Sequence, residues 1–179
     1  MQHHKTIWYA PNKFEAYGEE EIQAVTECLK DGWLAPGPRT SKFEEEVSKY
    51  FGKEYGIFCN SGSSANTLAL HMADLQPGDE VITPACTFST TVAPLCQLNL
   101  TPVFCDVEVR TFVPSVDQVM EKVTSKTKAI FVPNLAGSKP DWETLRSRFE
   151  AIDRRDIWLI EDSCDTMTHT AHSDISIIS

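Results

Sequence analysis

The sequence of 179 residues lacks long apolar runs, and none approaches the ~20 consecutive residues that a helix needs to cross a bilayer. Its first residues contain no apolar segment of the kind that directs secretion. Basic residues are also few, since 16 Lys and Arg stand against 26 Asp and Glu and the formal net charge is −10. Surfaces that bind nucleic acid or anionic membranes need clustered basic side chains. These absences predict a cytoplasmic protein with no nucleic-acid or membrane partner.

The six cysteines do not form a Cys-x-x-Cys pair, and several lie within apolar runs. We therefore interpret them as reduced, mostly buried thiols of a cytoplasmic protein. His169 and His172 have a spacing that occurs in metal sites, but no cysteine or carboxylate pattern completes a ligand set, so no metal site is predicted. No Gly-x-Gly-x-x-Gly motif follows a predicted strand, which argues against a nicotinamide dehydrogenase.

Short apolar runs alternate with amphipathic segments along the chain. The apolar runs predict strands over 55–59, 80–83, 102–105, 128–132, 157–160 and 174–178. The amphipathic segments predict helices over 19–30, 65–72, 87–98 and 141–150, and two more behind caps at Ser41 and Ser115. Continuously apolar strands that alternate with helices indicate an α/β fold, a mainly parallel sheet with helices on both faces. Ligands of such sheets bind beyond the carboxyl ends of the strands, so polar residues there are candidates for function.

A hydroxyl-rich turn, 60–66, lies between the first predicted strand and a helix. The apolar face of that helix is predicted to consist of Ala65, Leu68, Ala69 and Met72. Free N–H groups and the positive end of the helix dipole meet at such a turn, and Ser63 and Ser64 add hydroxyl donors, as in a phosphate site. Because Ser and Asn are also ordinary helix caps, the turn alone leaves both interpretations open.

Two further residues follow predicted strands. Asp162 comes directly after 157–160, where a carboxylate facing a phosphate site would suit a phosphorylated cationic heteroaromatic ring. Taken alone, an Asp at this position more often caps the next turn. Phe88 follows the strand at 80–83, where its ring could stack on a flat ligand or belong to the core.

The order of these motifs is more informative than each alone. Ser-Gly-Ser-Ser-Ala precedes Pro-Gly-Asp-Glu-Val-Ile-Thr-Pro-Ala-x-Thr-Phe, Pro-Val-Phe-x-Asp-Val, Thr-Lys-Ala-Ile and Trp-Leu-Ile-Glu-Asp-Ser-Cys-Asp. The series resembles the DegT/DnrJ/EryC1/StrS family of pyridoxal-phosphate-dependent nucleotide-sugar aminotransferases. The resemblance implies an incomplete large domain of a fold type I transferase over 33–179, preceded by a segment and helix over 1–32. It also implies that the family's small C-terminal domain is absent.

The resemblance assigns roles by position. In that family the small-residue turn holds the phosphate of pyridoxal 5'-phosphate (PLP) or pyridoxamine 5'-phosphate (PMP), which points to Gly62, Ser63 and Ser64. An aromatic residue stacks on the pyridine ring, which points to Phe88. The strand-end acid pairs with the pyridine nitrogen, which points to Asp162. A further Ser that contacts the phosphate corresponds to Ser179.

Two departures from the family pattern bear on the reaction. No lysine follows Lys139, and the resemblance places the family's Schiff-base lysine about five residues after Ser179, outside this sequence. Asp165 replaces a typical Gln, and Asn134 begins a stretch that replaces His-Leu-Tyr-Gly. The turn and the Glu-Asp-Ser-Cys-Asp motif are more similar to a sub-branch, the sugar 3-dehydratases, in which His replaces the lysine. Asp165 and Asn134 then become additional catalytic candidates.

The function implied by the resemblance is amino transfer to a nucleotide-linked ketosugar in polysaccharide or deoxysugar biosynthesis, with glutamate as the amino donor and a homodimer as the full-length form. One alternative is a PLP- or PMP-dependent nucleotide-sugar 3-dehydratase. The other is a truncated chain without catalytic activity.

Overall fold

The computed structural model describes residues 17–167 and 170–179. The chain divides into two compact units between Lys42 and Phe43. The first unit contains helix α1 (Glu19–Asp31), as predicted, and the beginning of helix α2 (Pro38–Tyr50), and the second contains the remaining elements. Across the described ranges, no helix combines the length and apolar character needed to cross a membrane.

Helix α2 begins at Pro38, so the predicted helix start behind Ser41 is wrong. Proline suits the first helical position because its φ is already helical and its missing N–H would have had no partner there. Ser41 is an internal residue of this helix and donates its N–H to the carbonyl of Gly37 (2.9 Å).

The second unit is built on one sheet of five parallel strands, which confirms the predicted fold class. The strands are β1 (Glu80–Pro84), β2 (Thr101–Cys105), β3 (Thr127–Pro133), β4 (Trp158–Asp162) and β5 (Ile175–Ile177). Their spatial order is β2-β1-β3-β4-β5. Each corresponds to a predicted strand, with ends that differ by at most two residues.

Helices cover both faces of the sheet. They are α3 (Gly62–Met72), α4 (Ser89–Gln97), α5 (Val116–Met120) and α6 (Trp142–Ala151), with a 3₁₀ turn at Leu135–Gly137. On one face Phe131 belongs to a buried cluster with Leu70 of α3 and Leu95 of α4. On the other face the adjacent Ile130 belongs to a cluster with Leu145 of α6. Since successive strand residues point to opposite faces, both clusters need an apolar residue at nearly every position of β3.

The strand order changes direction at β1. The chain passes from β1 to β2 on one side and then returns to place β3 on the other side of β1. Helix α4 connects β1 to β2, and α6 connects β3 to β4 in the opposite direction along the sheet. Because both connections are right-handed, the two helices must lie on opposite faces of the sheet, as they do. The usual ligand position in such folds lies beyond the carboxyl ends of the strands where the direction changes, here β1 and β3.

The predicted buried strand at 55–59 is wrong. The segment has no strand structure, and Tyr55 is 77% exposed. A strand needs a neighbour to satisfy its N–H and C=O groups, and within the described residues no strand pairs with this segment. One of its N–H groups, that of Phe58, binds the Glu44 carboxylate instead (2.8 Å).

A groove separates the 55–59 segment from β5. Its volume is about 890 Å³, and its walls include Val47 and Phe51 of α2, Leu68 of α3 and Ile177 of β5. Strand β5 is the last strand in the order and pairs only with β4 among the described residues. The groove therefore lies along an open edge of the sheet.

The prediction of mostly buried thiols is also wrong, although all six cysteines are free. Cys86 and Cys96 are exposed, because they lie in the loop after β1 and on the outer side of α4, and Cys105 is the one that is fully buried. Burial raises the pKa of the Cys105 thiol to about 11. His169 lies outside the described residues, so the His169–His172 spacing is not described further.

Candidate functional site

The candidate site lies at the carboxyl edge of the sheet, where the N-terminus of α3 meets the segments that follow β1, β4 and β5. Helix α3 begins with Ser61 as its N-cap, and the Ser61 hydroxyl oxygen accepts the N–H of Ser64 (3.2 Å). The N–H groups of Gly62 and Ser63 belong to the first helical turn, which offers them no intrahelical acceptor. The predicted turn is thus a capped helix start that still presents donors to an anion.

Gly62 lies in close contact with two other segments. A Cβ atom at this position would be 2.7 Å from Cys164 Sγ and 2.9 Å from Ser179 Cβ, distances that folded proteins do not tolerate. The structure therefore brings Ser179 next to the start of α3, together with the loop after β4. Their proximity agrees with the predicted shared contact with a phosphate, which stays a prediction.

Asp162 ends β4 and is 6% exposed. One carboxylate oxygen, Oδ2, accepts the Asn66 side-chain amide (3.0 Å) and the Thr91 hydroxyl (3.2 Å). The other oxygen, Oδ1, accepts the backbone N–H of Cys164 (3.2 Å). These three donors compensate for burying an acceptor-only group and fix its orientation.

Cys164 shares this environment. Burial, and next the hydrogen bond with the Asp162 carboxylate, raises the pKa of its thiol. The thiol is therefore protonated at neutral pH and is a poor nucleophile.

Phe88 follows β1 and is the residue immediately before α4. Its side chain is 71% exposed, so it is not the core residue that a lone Phe would usually be. An exposed ring at the carboxyl edge of the sheet is free to stack on a flat ligand.

Asn134 is fully buried and belongs to a separate hydrogen-bonded network on β3 and β4. Its amide nitrogen donates to Glu161 Oε2 (2.7 Å) and Ser163 Oγ (2.6 Å), and its side-chain oxygen accepts the indole N–H of Trp142 (3.2 Å). Both amide hydrogens are in use, so Asn134 can act on a ligand only after a rearrangement. Asp165, in contrast, is exposed.

The same network buries a second carboxylate. Glu161 Oε1 accepts the hydroxyls of Ser173 (2.8 Å) and Ser176. Lys53 donates to Ser173 Oγ (2.9 Å), and burial lowers the pKa of its ammonium group. Glu161 thus connects β4 to β5, while the adjacent Asp162 faces α3 and α4.

Sequence reasoning missed two residues that hold Asp162. Asn66 was interpreted as part of the turn, yet it is 1% exposed, whereas the predicted core residue Met72 is exposed. Gly62, Asn66, Ala69 and Leu70 form the buried side of α3. Asn66 lies four residues after Gly62 and four before Leu70, so all three share one side of the helix. That spacing could have predicted that Asn66 is buried. Thr91 gave no signal, because its partner is distant in sequence.

The donor set fits a phosphorylated cationic ring. Four buried side-chain atoms have no hydrogen-bond partner among the described residues: Asn66 Oδ1, Thr83 Oγ1, Thr87 Oγ1 and Thr170 Oγ1. Thr83 and Thr87 lie at the carboxyl end of β1, inside the candidate site. Buried polar atoms are nearly always paired, so these two indicate a place for water or a polar ligand. With the helix N-terminus and Asp162, the site offers an anion contact, a carboxylate and an exposed aromatic ring.

Comparisons with known proteins agree with this geometry. Over 168 residues the chain is 36% identical to the lipopolysaccharide biosynthesis protein RfbH of Salmonella typhimurium, covering 89% of this chain and 38% of that protein. It is 35% identical to dTDP-4-dehydro-2,3,6-trideoxy-D-glucose 4-aminotransferase of Saccharopolyspora spinosa, covering 87% and 40%. The structure of E. coli GDP-4-keto-6-deoxy-D-mannose-3-dehydratase with bound hydrated PLP superimposes with a TM-score of 0.77 at 32% identity, covering 85% and 40%.

The chain therefore spans about two fifths of the length of the relatives that it matches. The sequence pattern of the DegT/DnrJ/EryC1/StrS aminotransferase family matches residues 15–174, which is most of the chain. Strands β1 to β4, the capped start of α3 and the buried Asp162 all lie within that span. This chain belongs to the DegT/DnrJ/EryC1/StrS aminotransferase family.

Proposed function

We propose that the chain is the cofactor-binding part of a PLP- or PMP-dependent enzyme that transfers an amino group to a nucleotide-linked ketosugar. The observation that carries the proposal is the buried Asp162 carboxylate, held by three donors. One of them, Asn66, lies one helical turn after the start of α3. A helix N-terminus that can contact an anion, with a carboxylate bound one turn further along the same helix, suits a pyridine ring that carries a phosphate. When bound, PLP supplies an electron sink for carbanions formed on the substrate.

Each residue of the site then has a role. Ser63 and Ser64 bind the phosphate with their hydroxyls and the N–H groups of the first turn of α3. Ser179 adds a hydroxyl from the end of the β5 segment. Phe88 stacks on one face of the ring. Asp162 holds the proton on the ring nitrogen, which keeps the ring cationic and electron-poor.

A nucleotide-sugar 3-dehydratase is the second candidate. It is supported by the 32% identity and 0.77 TM-score to the E. coli 3-dehydratase. Asp165 and Asn134 would then act on the substrate, and the exposed Asp165 is the better placed of the two. Mass spectrometry of products from a GDP- or dTDP-linked 4-ketosugar, incubated with PMP, separates the two reactions. An amino sugar indicates transfer, and loss of a hydroxyl indicates dehydration.

Further parts of the proposal concern the whole protein. Glutamate is the proposed amino donor, a homodimer the proposed assembly and the cytoplasm the proposed location. The contrasting proposal, a chain that is not catalytic, predicts that the purified chain retains no cofactor.

Retention of PLP by the purified chain tests the proposal. The chain is mixed with PLP and dialysed, and cofactor absorbance is then measured for wild type, Asp162→Ala and a control, Asp106→Ala. Asp106 is a suitable control because it is an exposed carboxylate that also directly follows a strand, β2. We expect wild type and Asp106→Ala to retain PLP and Asp162→Ala to lose it. If Asp162→Ala retains as much PLP as wild type, the assignment of Asp162 is wrong.

A further inference from the structure

The Asn66 side chain connects the helix that begins the site to the acid at its centre. Asn66 lies four residues after Gly62 on α3 and is almost completely buried. Its amide nitrogen donates one hydrogen to Asp162 Oδ2 (3.0 Å) and the other to the carbonyl of Thr90 (3.1 Å). The N-terminus of α3 and the Asp162 carboxylate are therefore held at a fixed separation by a single side chain.

The orientation of the Asn66 amide follows from its neighbours. A carboxylate oxygen and a backbone carbonyl only accept hydrogen bonds, so the NH₂ group must face both of them. Rotating the amide by half a turn would place its oxygen against two acceptors. The Asn66 side chain is thus committed to Asp162, and its own oxygen has no partner among the described residues.

The two side-chain donors bind the same carboxylate oxygen. Oδ2 of Asp162 accepts both Asn66 and Thr91, whereas Oδ1 accepts the N–H of Cys164. A carboxylate oxygen can accept about two hydrogen bonds, so Asn66 and Thr91 saturate Oδ2. The remaining contact with the carboxylate is the thiol of Cys164, a weak donor that a cationic donor can displace.

We propose that Asn66 is a positioning residue that aims Oδ1 of Asp162 at a protonated ring nitrogen and sets the separation between that nitrogen and the phosphate contact at the start of α3. This inference rests on the proposed function. It makes Asn66 act through Asp162, with Thr91 as its partner on the same oxygen. The alternative is a purely structural role, in which Asn66 only attaches α3 to the beginning of α4 through the Thr90 carbonyl.

A double-mutant cycle on the dissociation constant of PLP separates these roles. Asn66→Leu has nearly the same size and no donor, and Asp162→Asn keeps the shape of the acid without its charge. Loss of a hydrogen bond to a charged group predicts that Asn66→Leu weakens PLP binding about tenfold or more. In the Asp162→Asn background the same change is expected to alter the constant by less than about threefold, since the charge through which Asn66 acts is gone.

Two further variants keep the test decisive. Leu70→Ala is the control, because Leu70 is buried on the same helix within the apolar core and has no polar group that could bind Asp162. Its effect on PLP binding is expected to be equal in both backgrounds. Thr91→Val removes the second donor on Oδ2 with little change of shape, and it is expected to weaken binding in the same background-dependent way. If Asn66→Leu does not fold, Thr91→Val still tests whether a donor on Oδ2 affects PLP binding through the charge of Asp162.

A spectroscopic measurement distinguishes positioning from stability. With PLP labelled with ¹⁵N in the ring, the nitrogen resonance reports whether the bound ring is protonated. We expect a protonated ring in wild type and Leu70→Ala and a shift toward the neutral form in Asn66→Leu. Equal effects of Asn66→Leu in both backgrounds, or an unchanged resonance, would overturn the inference alone. Unchanged PLP binding by Asp162→Asn would instead overturn the proposed function.

Discussion

Gly62→Ala tests whether the site depends on the close contact between α3 and the loop after β4. The added Cβ would lie 2.7 Å from Cys164 Sγ and 2.9 Å from Ser179 Cβ. Favourable contacts between heavy atoms need about 3.5–4.0 Å, so the overlap with the sulfur is about 1 Å. Overpacking of this kind costs about 1–3 kcal/mol. Replacing glycine in a helix returns up to about 1 kcal/mol, so we expect a net loss of stability of about 1 kcal/mol.

The same displacement should weaken cofactor binding. Cys164 must move, and its N–H donates to Asp162 Oδ1. Losing that bond to a charged group predicts a decrease in PLP affinity of about tenfold. Stability is measured by urea unfolding, and a shifted midpoint with an unchanged dependence of the unfolding free energy on urea concentration reports the loss. Affinity is measured by titration with PLP.

Two variants define the outcome of this experiment. Cys164→Ala in the Gly62→Ala background removes the sulfur and should restore most of the lost stability and affinity. Gly18→Ala is the control, because its Cβ would approach nothing closer than Glu21 Oε2 at 3.7 Å, and we expect a change of about 0.5 kcal/mol or less. If Gly62→Ala matches wild type, or if Cys164→Ala gives no rescue, the reasoning from this contact is wrong.

Three further predictions concern other contacts. Ser63→Asp places a negative charge in the first turn of α3 and should weaken PLP binding tenfold or more by titration, because the charge repels the phosphate; unchanged affinity would mean that the phosphate is held elsewhere. Trp142→Phe leaves Asn134 Oδ1 without its donor and should lower the free energy of unfolding in urea by about 1–3 kcal/mol; a neutral result would mean that water replaces the indole. The hydrogen bond from Arg154, followed by that from Lys128, lowers the pKa of Asp156 to about 2, so its stabilisation is present above the unfolded value of about 3.9 and is lost as the pH falls through 2. Because Asp156 is partly exposed, Asp156→Asn should cost no more than about 1 kcal/mol at pH 6. The cost should be clearly smaller at pH 2, where the carboxyl is about half protonated. Urea unfolding at both pH values measures the two costs, and an equal cost at both would refute the assignment.

The elements that were predictable from sequence are those whose stability is encoded locally. Strand β3 has apolar residues for both faces of the sheet, so its run is recognisable without knowing its neighbours. The cap at Ser115 is confirmed, with its hydroxyl accepting the N–H of Gln118 (3.3 Å) and the Gln118 side chain accepting the N–H of Ser115 (2.8 Å). Asp162 was identified as a candidate because it directly follows an apolar run, and its cofactor role stays a prediction.

The features that were missed depend on partners distant in sequence. The segment 55–59 has strand composition, but strand structure requires a neighbour, which the described residues do not supply. Asn66 has the composition of a turn, and its burial follows only from the position of Asp162, 96 residues away. The burial of Glu161 likewise follows only from its contacts with Ser173 and Ser176. In each case the local sequence pattern was visible, but the environment of the residue depends on a contact with a residue distant in sequence.

The open edge of β5 links assembly to ligand affinity. Ile177 pairs with Asp162 across the sheet, and Ser179 lies two residues further on, against Gly62. An extended segment that adds to β5 would order the same residues that the site needs. If strand addition at β5 then raises the affinity for the ligand by some factor, thermodynamic linkage requires that the bound ligand raise the affinity for the added strand by the same factor. Cofactor affinity of this chain should therefore change with protein concentration whenever two open edges associate.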